Sequence, residues 1–531
     1  MSVLLGLMLS IPIGRYLVWI YRLKEKELKI QPKVSILSKI GINIHEEMNW
    51  KEYLISMCLF SFFGFILLQI MLMFQNIPFL TALNISISFM TNTNWQNYTG
   101  ESTLTNWVQS LGLGVQNFTS AASGFAILLC FIRGITNKEK SELGNFWNDI
   151  IKFIFQLLLP LSIVFSLILV WQGVPQTNNS RVEFISLEGK NVTIPVGPVA
   201  SQVAIKMLGS NGGGFYNANA SHPYENPTPL SNFIQTMSII LLPAACMFMF
   251  IFSLPNKKQG LMILSVMLAL LLCGLCISSI YQNKINPLTN THFLEGTETR
   301  FSLTECGIWS TLTTAITSGS VNCMHSSISP MSQLVALFNM MTGGIIFGGV
   351  GSGLYTMILY VLLSAFLSGL MVGRTPEYLG KKIQANEIIW VGLALLTPGL
   401  LNLILSALAM YLNLGSIQHG PHGLSEILYA FSSAFGNNGS AFAGLNANTD
   451  FYNIALGFSM LFGRFIVIIG SLYIAGSLGI KNISPTGPGT LKTDTILFGF
   501  ILLSVIIIVG ALTFFPVLVL GPVAEHLLMN N

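Results

Sequence analysis

Asn437-Asn438-Gly439 is a short polar segment that lies between two long apolar stretches of the chain. Three other segments have the same setting: Asn92-Thr93-Asn94, Ser210-Asn211-Gly212 and Thr317-Ser318-Gly319. In chain order we call these four the first, second, third and fourth polar segments. A single one would be typical of an external turn, because Asn-Gly and Ser-Gly are common turn dipeptides. Their repetition, once per pair of apolar stretches, favours a ring of backbone carbonyls around one central pore.

The composition indicates a protein of the lipid bilayer. Of its 531 residues, 52% are hydrophobic and 9% are charged, whereas a soluble domain carries about 25% charged residues. Ten apolar stretches are long enough to cross about 30 Å of hydrocarbon, which takes roughly 20 residues. They are 1–21, 53–74, 108–132, 153–171, 233–253, 261–280, 334–372, 388–412, 452–480 and 496–520. We therefore predict an all-α polytopic membrane protein with ten transmembrane helices.

The distribution of lysine and arginine predicts the orientation of the spans. The alternate connections 22–51, 133–152, 257–258, 374–382 and 481–492 hold 18 of the 25 basic residues. By the positive-inside rule these connections are cytoplasmic, so both termini are extracytoplasmic. A signal peptide is the alternative for the first stretch, but a basic start and a small-residue cleavage site are missing.

The ten stretches and the polar segments together form a repeated architecture. We predict four span–loop–span units at 53–132, 153–253, 261–373 and 388–480, flanked by single spans at 1–21 and 496–520. The pore loops are expected at 81–96, 199–214, 301–319 and 426–439. The polar stretch 178–198 is interpreted as an external loop or hairpin. Such architectural repetition is typical of channel-like transporters.

The seventh stretch is too long for one regular span. Its 39 residues correspond to about 58 Å of helix at roughly 1.5 Å per residue, yet it must cross an odd number of times and three crossings do not fit. Its middle contains six glycines: Gly343, Gly344, Gly348, Gly349, Gly351 and Gly353. We predict a break whose non-helical backbone lies under the pore and acts as a gate. The alternative is a close packing face, because 344–348 and 349–353 match the small-xxx-small pattern.

The polar segments have the residue types that a potassium filter needs. Backbone carbonyls replace the hydration shell of the ion, and glycine reaches the backbone angles that turn them towards one axis. We expect these angles at Gly212, Gly319 and Gly439, with Asn94 in the corresponding place of the first segment. The candidate filter is Asn92, Thr93, Asn94, Ser210, Asn211, Gly212, Thr317, Ser318, Gly319, Asn437, Asn438 and Gly439, with Gln96 as its support. These segments lack Asp and Glu, which disfavours a calcium-type filter.

Arg464 lies near the middle of the ninth stretch. A charge at mid-bilayer is costly unless it faces water or a partner, so we expect it to face a cavity. There it is either an electrostatic gate below the filter or a lock on the broken span.

Two pairs of other residues carry less information. Cys306 and Cys323 lie outside and are able to pair, but nothing in the sequence shows that they do. His419 and His422 are interpreted as part of an external turn rather than a metal site.

The sequence has no Walker-type phosphate loop, and no cytoplasmic connection exceeds roughly thirty residues, so ATP would have to be hydrolysed by another chain. No cofactor and no nucleic-acid partner are expected.

Several longer motifs resemble one family across nearly the whole chain. They are 91–96 (TNTNWQ), 209–219 (GSNGGGFYNAN), 222–227 (HPYENP), 347–355 (FGGVGSGLY), 373–382 (GRTPEYLGKK), 437–445 (NNGSAFAGL), 511–514 (ALTF) and 520–525 (LGPVAE). The chain resembles the channel-like, potassium-binding A subunit of the bacterial Kdp potassium-importing ATPase, the KdpA family.

The resemblance implies a fold and a set of partners. The fold would be similar to that of potassium channels and the Trk/Ktr/HKT transporters. The partners would be a P-type ATPase catalytic subunit, a single-span accessory (C) subunit and a small stabilising (F) peptide, all in the bacterial plasma (inner) membrane. Potassium, the substrate, would enter from outside, be selected by the filter and pass to the ATPase subunit through an internal tunnel.

Two positions depart from the family pattern. The third filter segment usually reads Ser-Cys-Gly, and here it is Thr317-Ser318-Gly319. An acidic residue usually precedes the FGGVGSG motif, where this chain has Gly343 and Gly344. Arg464 is therefore expected to bond to backbone carbonyls of the broken span instead of a carboxylate.

Two other functions remain open at the level of the sequence. One is a self-sufficient potassium channel or ion-coupled symporter of the same superfamily. The other is a non-conducting membrane scaffold that anchors an ATPase.

Overall fold

A computed structural model describes residues 1–21, 23, 43–44, 46–373, 375–415, 418–483 and 492–530. Arg22, Arg374 and most of the predicted cytoplasmic connections 22–51 and 481–492 lie outside the described residues.

The described part of the chain is mostly helical. Its α-helices are α1 (Ser2–Ile20), α2 (Trp50–Met73), α3 (Phe79–Met90), α4 (Gly100–Thr103), α5 (Val115–Thr136), α6 (Phe146–Phe153), α7 (Leu159–Trp171), α8 (Val199–Leu208), α9 (Pro229–Ser253), α10 (Lys257–Gln282), α11 (Leu303–Ala315), α12 (Pro330–Met341), α13 (Ser352–Met371), α14 (Ala385–Tyr411), α15 (Gly420–Phe435), α16 (Asp450–Gly479), α17 (Ile496–Leu518) and α18 (Ala524–Asn530). Three π-helical turns lie next to these helices: Val108–Gly114 leads into α5, Ile154–Leu158 joins α6 to α7, and Val519–Val523, with a kink at Gly521, lies between α17 and α18.

Ten helical stretches of the described residues are long and apolar enough to cross a membrane, which confirms the predicted number. They are Ser2–Ile20, Trp50–Met73, Val108–Thr136, Phe146–Trp171, Pro229–Ser253, Lys257–Gln282, Ser352–Met371, Ala385–Tyr411, Asp450–Gly479 and Ile496–Asn530. Some boundaries differ from the prediction for a local reason. The fifth span begins at Pro229, because Thr228 and Ser231 form a capping box that starts the helix before its apolar part.

The second crossing of each unit lies further inside the molecule than the first. In the first unit 11% of the most apolar window of α2 is buried, against 83% for the stretch that contains α5. The same order holds for α7 and α9, for α10 and α13, and for α14 and α16. The second crossings therefore form the centre, and the first crossings lie at the periphery.

A short helix is packed between the two crossings of each unit. These helices are α3, α8, α11 and α15, and each ends one or two residues before a polar segment. For example, α3 packs against α2 and α16, and α11 packs against α10 and α12. The fourth begins earlier than the sequence predicts, with Pro421 in its first turn, so His422 lies in a helix and not in an external turn.

The long seventh stretch is divided into two helices. The helix α12 ends at Met341 and α13 begins at Ser352. We call the intervening non-helical residues 342–351 the broken segment. Its backbone has left-handed φ angles at Gly343, Gly344, Phe347, Gly348 and Gly351, which a helix does not tolerate. The interruption is therefore a loop of ten residues and not a kink.

Small strands and one disulfide stabilise the connections. The strands β1 (Arg181–Ile185) and β2 (Asn191–Pro195) form an antiparallel hairpin in the predicted external loop. Two shorter hairpins pair β3 (Ile285–Asn286) with β4 (Thr291–His292), and β5 (Glu377–Tyr378) with β6 (Lys381–Lys382). Cys306 and Cys323, whose pairing the sequence left open, form a disulfide that joins the start of α11 to the chain after the third polar segment.

Candidate functional site

The polar segments share an uncommon backbone conformation. The first and third residues of three segments have left-handed φ angles: 64° and 53° at Asn92 and Asn94, 52° and 79° at Thr317 and Gly319, and 50° and 98° at Asn437 and Gly439. The second segment has them at Ser210 (51°) and at Gly213 (70°), one residue later than expected. The prediction that Gly212 supplies such an angle is therefore wrong.

Gly212 is required for a different reason, which is close approach. A Cβ atom added there would lie 2.5 Å from the Thr93 carbonyl oxygen and 2.8 Å from the Asn438 carbonyl oxygen. An added Cβ would also overlap the Asn438 oxygen at Gly319 and the Thr93 oxygen at Gly439. The structure thus brings all four polar segments to one point, where their backbones are in contact and no side chain fits.

Hydrogen bonds connect each polar segment to the next unit in a closed ring. Asn92 Nδ2 donates to the Ser210 carbonyl oxygen (3.0 Å), and Ser318 Oγ donates to the Asn211 carbonyl oxygen (3.4 Å). Two further bonds complete the ring: Asn438 Nδ2 donates to the Thr313 carbonyl oxygen at 2.7 Å, and Asn437 Nδ2 donates to Thr93 Oγ1 at 3.0 Å. Each segment is therefore held by its neighbour as well as by its own short helix.

Gln96 joins the first unit to the second above the ring. Its Nε2 donates to the Gly214 carbonyl oxygen and its Oε1 accepts from the Gly214 N–H, both at 2.9 Å. This paired contact orders the backbone directly after the second polar segment. The short helices add an electrostatic contribution, because each ends beside a polar segment and the carbonyl end of a helix carries a partial negative charge.

A cavity of about 510 Å³ lies on the side of the ring where Gln96 and Asn219 stand, and we call it the outer cavity. Residues of all four units line it, among them Gln96, Gly213, Gly319 and Gly439. Of the residues that line it, only Glu298 is an Asp or Glu, and it is paired with Arg300 at 2.6 Å. The approach to the ring is thus polar and not acidic.

His325 lies in the wall of the outer cavity and is buried. Its Nδ1 is 2.8 Å from the Tyr429 hydroxyl, which is 2.8 Å from Ser440 Oγ. The Ser440 N–H in turn donates to Asn438 Oδ1 at 3.0 Å. Burial lowers the pKa of His325 to about 4, so this chain of bonds is uncharged at neutral pH.

A smaller cavity of about 70 Å³ lies on the inner side of the ring, and we call it the inner cavity. Thr317 and Asn437 line it from the ring, Gly343 from the broken segment, and Arg464 from α16. The broken segment contacts the ring directly, because a Cβ added at Gly349 would lie 3.1 Å from Thr317 Oγ1. A loop and an arginine therefore stand beneath the third and fourth polar segments.

Arg464 bonds to the first unit and not to the broken segment. Its Nη2 donates to the Ser120 carbonyl oxygen of α5 at 3.3 Å and lies against Gly124. The expected bonds to carbonyls of the broken segment are absent from the described residues. Ser120 Oγ donates to Asn92 Oδ1 at 2.8 Å, so Ser120 links Arg464 to the first polar segment.

A buried ion pair behind the second polar segment was not identified from the sequence. Lys206, on α8, and Glu225 are 2.5 Å apart, with 1% and 0% of their side chains exposed. Burial lowers the pKa of Lys206, and the Glu225 carboxylate opposes this shift. The available signal was a lysine within an otherwise apolar short helix, since ionisable residues at membrane depth are usually functional.

Comparison with known proteins agrees with this architecture. The sequence model of the potassium-transporting ATPase A subunit family matches residues 1–527. A potassium-transporting ATPase potassium-binding subunit of Leptospira interrogans serovar copenhageni is 49% identical over 535 residues, which cover 97% of this chain and 95% of the relative. Proteins of the same name from Erwinia tasmaniensis and Bradyrhizobium diazoefficiens are 47% and 46% identical, over 92% and 98% of this chain and 90% and 96% of the relatives.

The fold is similar to that of a solved transporter. The crystal structure of the potassium transporter TrkH from Vibrio parahaemolyticus aligns with a TM-score of 0.52 over 89% of this chain and 97% of that chain. The two sequences are 13% identical, so this likeness concerns the fold alone. With the family match over nearly its whole length, the chain belongs to the family of potassium-transporting ATPase A subunits, the KdpA family.

Proposed function

We propose that this chain binds extracellular potassium in the ring of the polar segments and translocates it as the channel-like subunit of an ATP-driven importer. The observation that carries the proposal is the convergence of the four segments, with carbonyl oxygens of Thr93 and Asn438 against the backbone of Gly212. Carbonyl oxygens replace the hydration shell of potassium without adding formal charge. The closed ring of hydrogen bonds would hold them at the spacing that one ion requires.

The inner side of the ring favours controlled transfer over free conduction. The broken segment and Arg464 narrow the path beneath the ring to the inner cavity. Gly343, Gly344, Gly348, Gly349 and Gly351 would let this segment move as a gate, with Gly353 in the first turn of α13 beside it. Ions would bind tightly and then be passed on through the inner cavity to a partner.

Membership of the family supports a proposed energy source and proposed partners. The sequence has no phosphate-binding loop, so ATP would be hydrolysed by a P-type ATPase catalytic subunit. A single-span accessory subunit and a small stabilising peptide would complete the complex in the bacterial inner membrane. Both termini of this chain would be extracytoplasmic.

Substitution of ring glycines tests the proposal in the assembled complex. Gly212→Ser and Gly439→Ser place side-chain atoms where carbonyl oxygens now lie. We expect the potassium concentration for half-maximal ATPase activity to rise at least tenfold, with weaker rejection of sodium. The matched control is Gly392→Ser on α14, because a Cβ added there meets nothing within 4 Å. An unchanged potassium requirement in assembled Gly212→Ser and Gly439→Ser complexes would refute a filter at this ring.

The alternative is a self-sufficient channel or symporter, which the shared TrkH-like fold favours. It predicts robust potassium flux in liposomes that contain this chain alone. Our proposal expects such flux to be negligible until the ATPase subunit and ATP are supplied.

A further inference from the structure

The Lys206–Glu225 ion pair is a fully buried charge pair that contacts the second polar segment from behind. Lys206 lies in the last turn of α8, and its carbonyl oxygen accepts the Asn211 N–H at 3.0 Å. Asn211 is the middle residue of the second polar segment. The lysine is therefore attached to the ring through its own backbone.

Glu225 holds the chain that leaves the ring. Its Oε1 accepts the Tyr216 N–H at 2.9 Å, and it leaves no room for a side chain at Gly214, where an added Cβ would be 2.5 Å away. The Glu225 carbonyl oxygen accepts from Gln235 Nε2 of α9 at 2.9 Å. Glu225 thus connects residues 214–216, through its carboxylate, to the second crossing of the unit, through its backbone carbonyl.

Asn219 extends the network to the third polar segment. Its Oδ1 accepts from Lys206 Nζ at 2.8 Å and from Ser320 Oγ at 3.1 Å. Ser320 directly follows Gly319, the last residue of the third polar segment. A single amide oxygen therefore connects the ammonium of the second unit to the residue that directly follows the third polar segment.

Charge balance makes this arrangement relevant to cation binding. An unpaired ammonium behind a potassium site would repel the ion, and an unpaired carboxylate would attract any cation. Such effects are strong where water is excluded, because the local dielectric constant is low. With both partners present the second unit contributes hydrogen bonds and little net charge.

We propose that the Lys206–Glu225 pair is a positioning element of the potassium site, which orders the second polar segment and keeps its surroundings electrically neutral. The proposal rests on the proposed function, because it requires potassium to bind at the ring. Neither side chain touches the ion.

The test compares single and double variants in the complete complex, with the potassium KM of ATPase activity as the readout. Glu225→Gln keeps an acceptor for the Tyr216 N–H but leaves the ammonium unbalanced, so KM is expected to rise at least tenfold. Lys206→Met leaves the carboxylate unbalanced, so KM is expected to fall at least threefold, with weaker rejection of sodium. The double variant is neutral again and is expected to have a KM within threefold of the original.

Changes of KM in opposite directions in the two single variants distinguish positioning and charge balance from a purely structural role. A structural role would lower the amount of assembled complex in both single variants, and KM would be unchanged or would change in one direction. Either of those results would overturn the proposal. If one single variant fails to assemble, the other is compared with the double variant. An equal KM in these two variants would also overturn the proposal.

Two controls keep the conclusions separate. The exposed pair Lys190–Glu188 is a matched surface pair, so Glu188→Gln and Lys190→Met are expected to leave KM unchanged. Gly212→Ser reports on the ring itself. A raised KM in Gly212→Ser with no effect of the ion-pair variants would reject only the positioning role, whereas an unchanged KM in Gly212→Ser would reject the potassium site.

Discussion

At the scale of single residues, glycine has two separate functions in this ring. Gly319 has a φ of +79° and also touches the Asn438 carbonyl oxygen, so both its conformation and its size matter. Gly212 has an ordinary φ and is required only by the approach of two carbonyl oxygens. The sequence showed that both positions are glycine. Whether a glycine is needed for its φ angle or for its small size can be told only from the positions of the neighbouring segments.

Gly319→Ala separates these two effects by comparison with Gly189→Ala. Both positions have left-handed φ angles, of 79° and 75°, so alanine costs about 1–2 kcal/mol at each. Only at Gly319 would the new methyl group displace a carbonyl oxygen, because the space around Gly189 is open. We expect Gly319→Ala to raise the potassium KM at least tenfold and Gly189→Ala to leave it unchanged. Equal KM values in the two variants would show that crowding at the ring is unimportant.

At the scale of elements, the position of the last helix depends on residues that are distant in sequence. The helix α18 carries Glu525, whose Oε1 lies 3.0 Å from His422 Nδ1 in the first turn of α15. Glu426, one turn further along α15, lies 3.7 Å from the other ring nitrogen of His422. The contact joins the last span to the short helix that precedes the fourth polar segment, and the sequence alone indicated neither partner.

The His422–Glu525 contact is expected to depend on pH. Burial is the largest single effect on His422 and lowers its pKa, but the Glu525 hydrogen bond and the charges of Glu525 and Glu426 together raise it above 6.5. A raised folded-state pKa contributes stability below pH 6.5 that is lost as the pH rises through the folded-state value. Glu525→Gln should therefore lower the melting temperature at pH 6 by more than at pH 9.

Thermal unfolding of the purified protein at both pH values measures this difference. Glu183→Gln in the exposed strand β1 is the control and should change the melting temperature little at either pH. The same loss of stability at pH 6 and pH 9 in Glu525→Gln would contradict the assignment.

At the scale of the whole molecule, the units are joined at both faces of the bundle. On the outer side the ring of hydrogen bonds connects all four polar segments. At the opposite end Lys381 is buried, and its Nζ donates to the carbonyl oxygens of Gly134, Asn137 and Leu478 at 3.0, 2.5 and 2.7 Å. These oxygens belong to the ends of α5 and α16, so a lysine of the connection 374–382 joins the first unit to the fourth.

The ten crossings predict that both ends of the chain lie on one side of the membrane. Because the basic connections are expected in the cytoplasm, that side should be extracytoplasmic. We expect alkaline phosphatase to be active, and a fluorescent protein to be dark, when fused after the C-terminal residue. Fusions placed after Lys258 should show the reverse, since that connection is basic. A fluorescent C-terminal fusion would contradict the proposed orientation.

The number of spans, the four-unit order and the positions of the polar segments followed from the sequence alone, because apolar length and turn chemistry are local properties of a chain. Contacts between residues that are not neighbours in the chain did not. The bond of Arg464 to Ser120, the Lys206–Glu225 pair and the closeness of Gly212 to Thr93 join residues that are 19 to 344 positions apart. No local pattern spans such separations along the chain, so the residues that surround the ring and those that lie beneath it are set by how the helices pack.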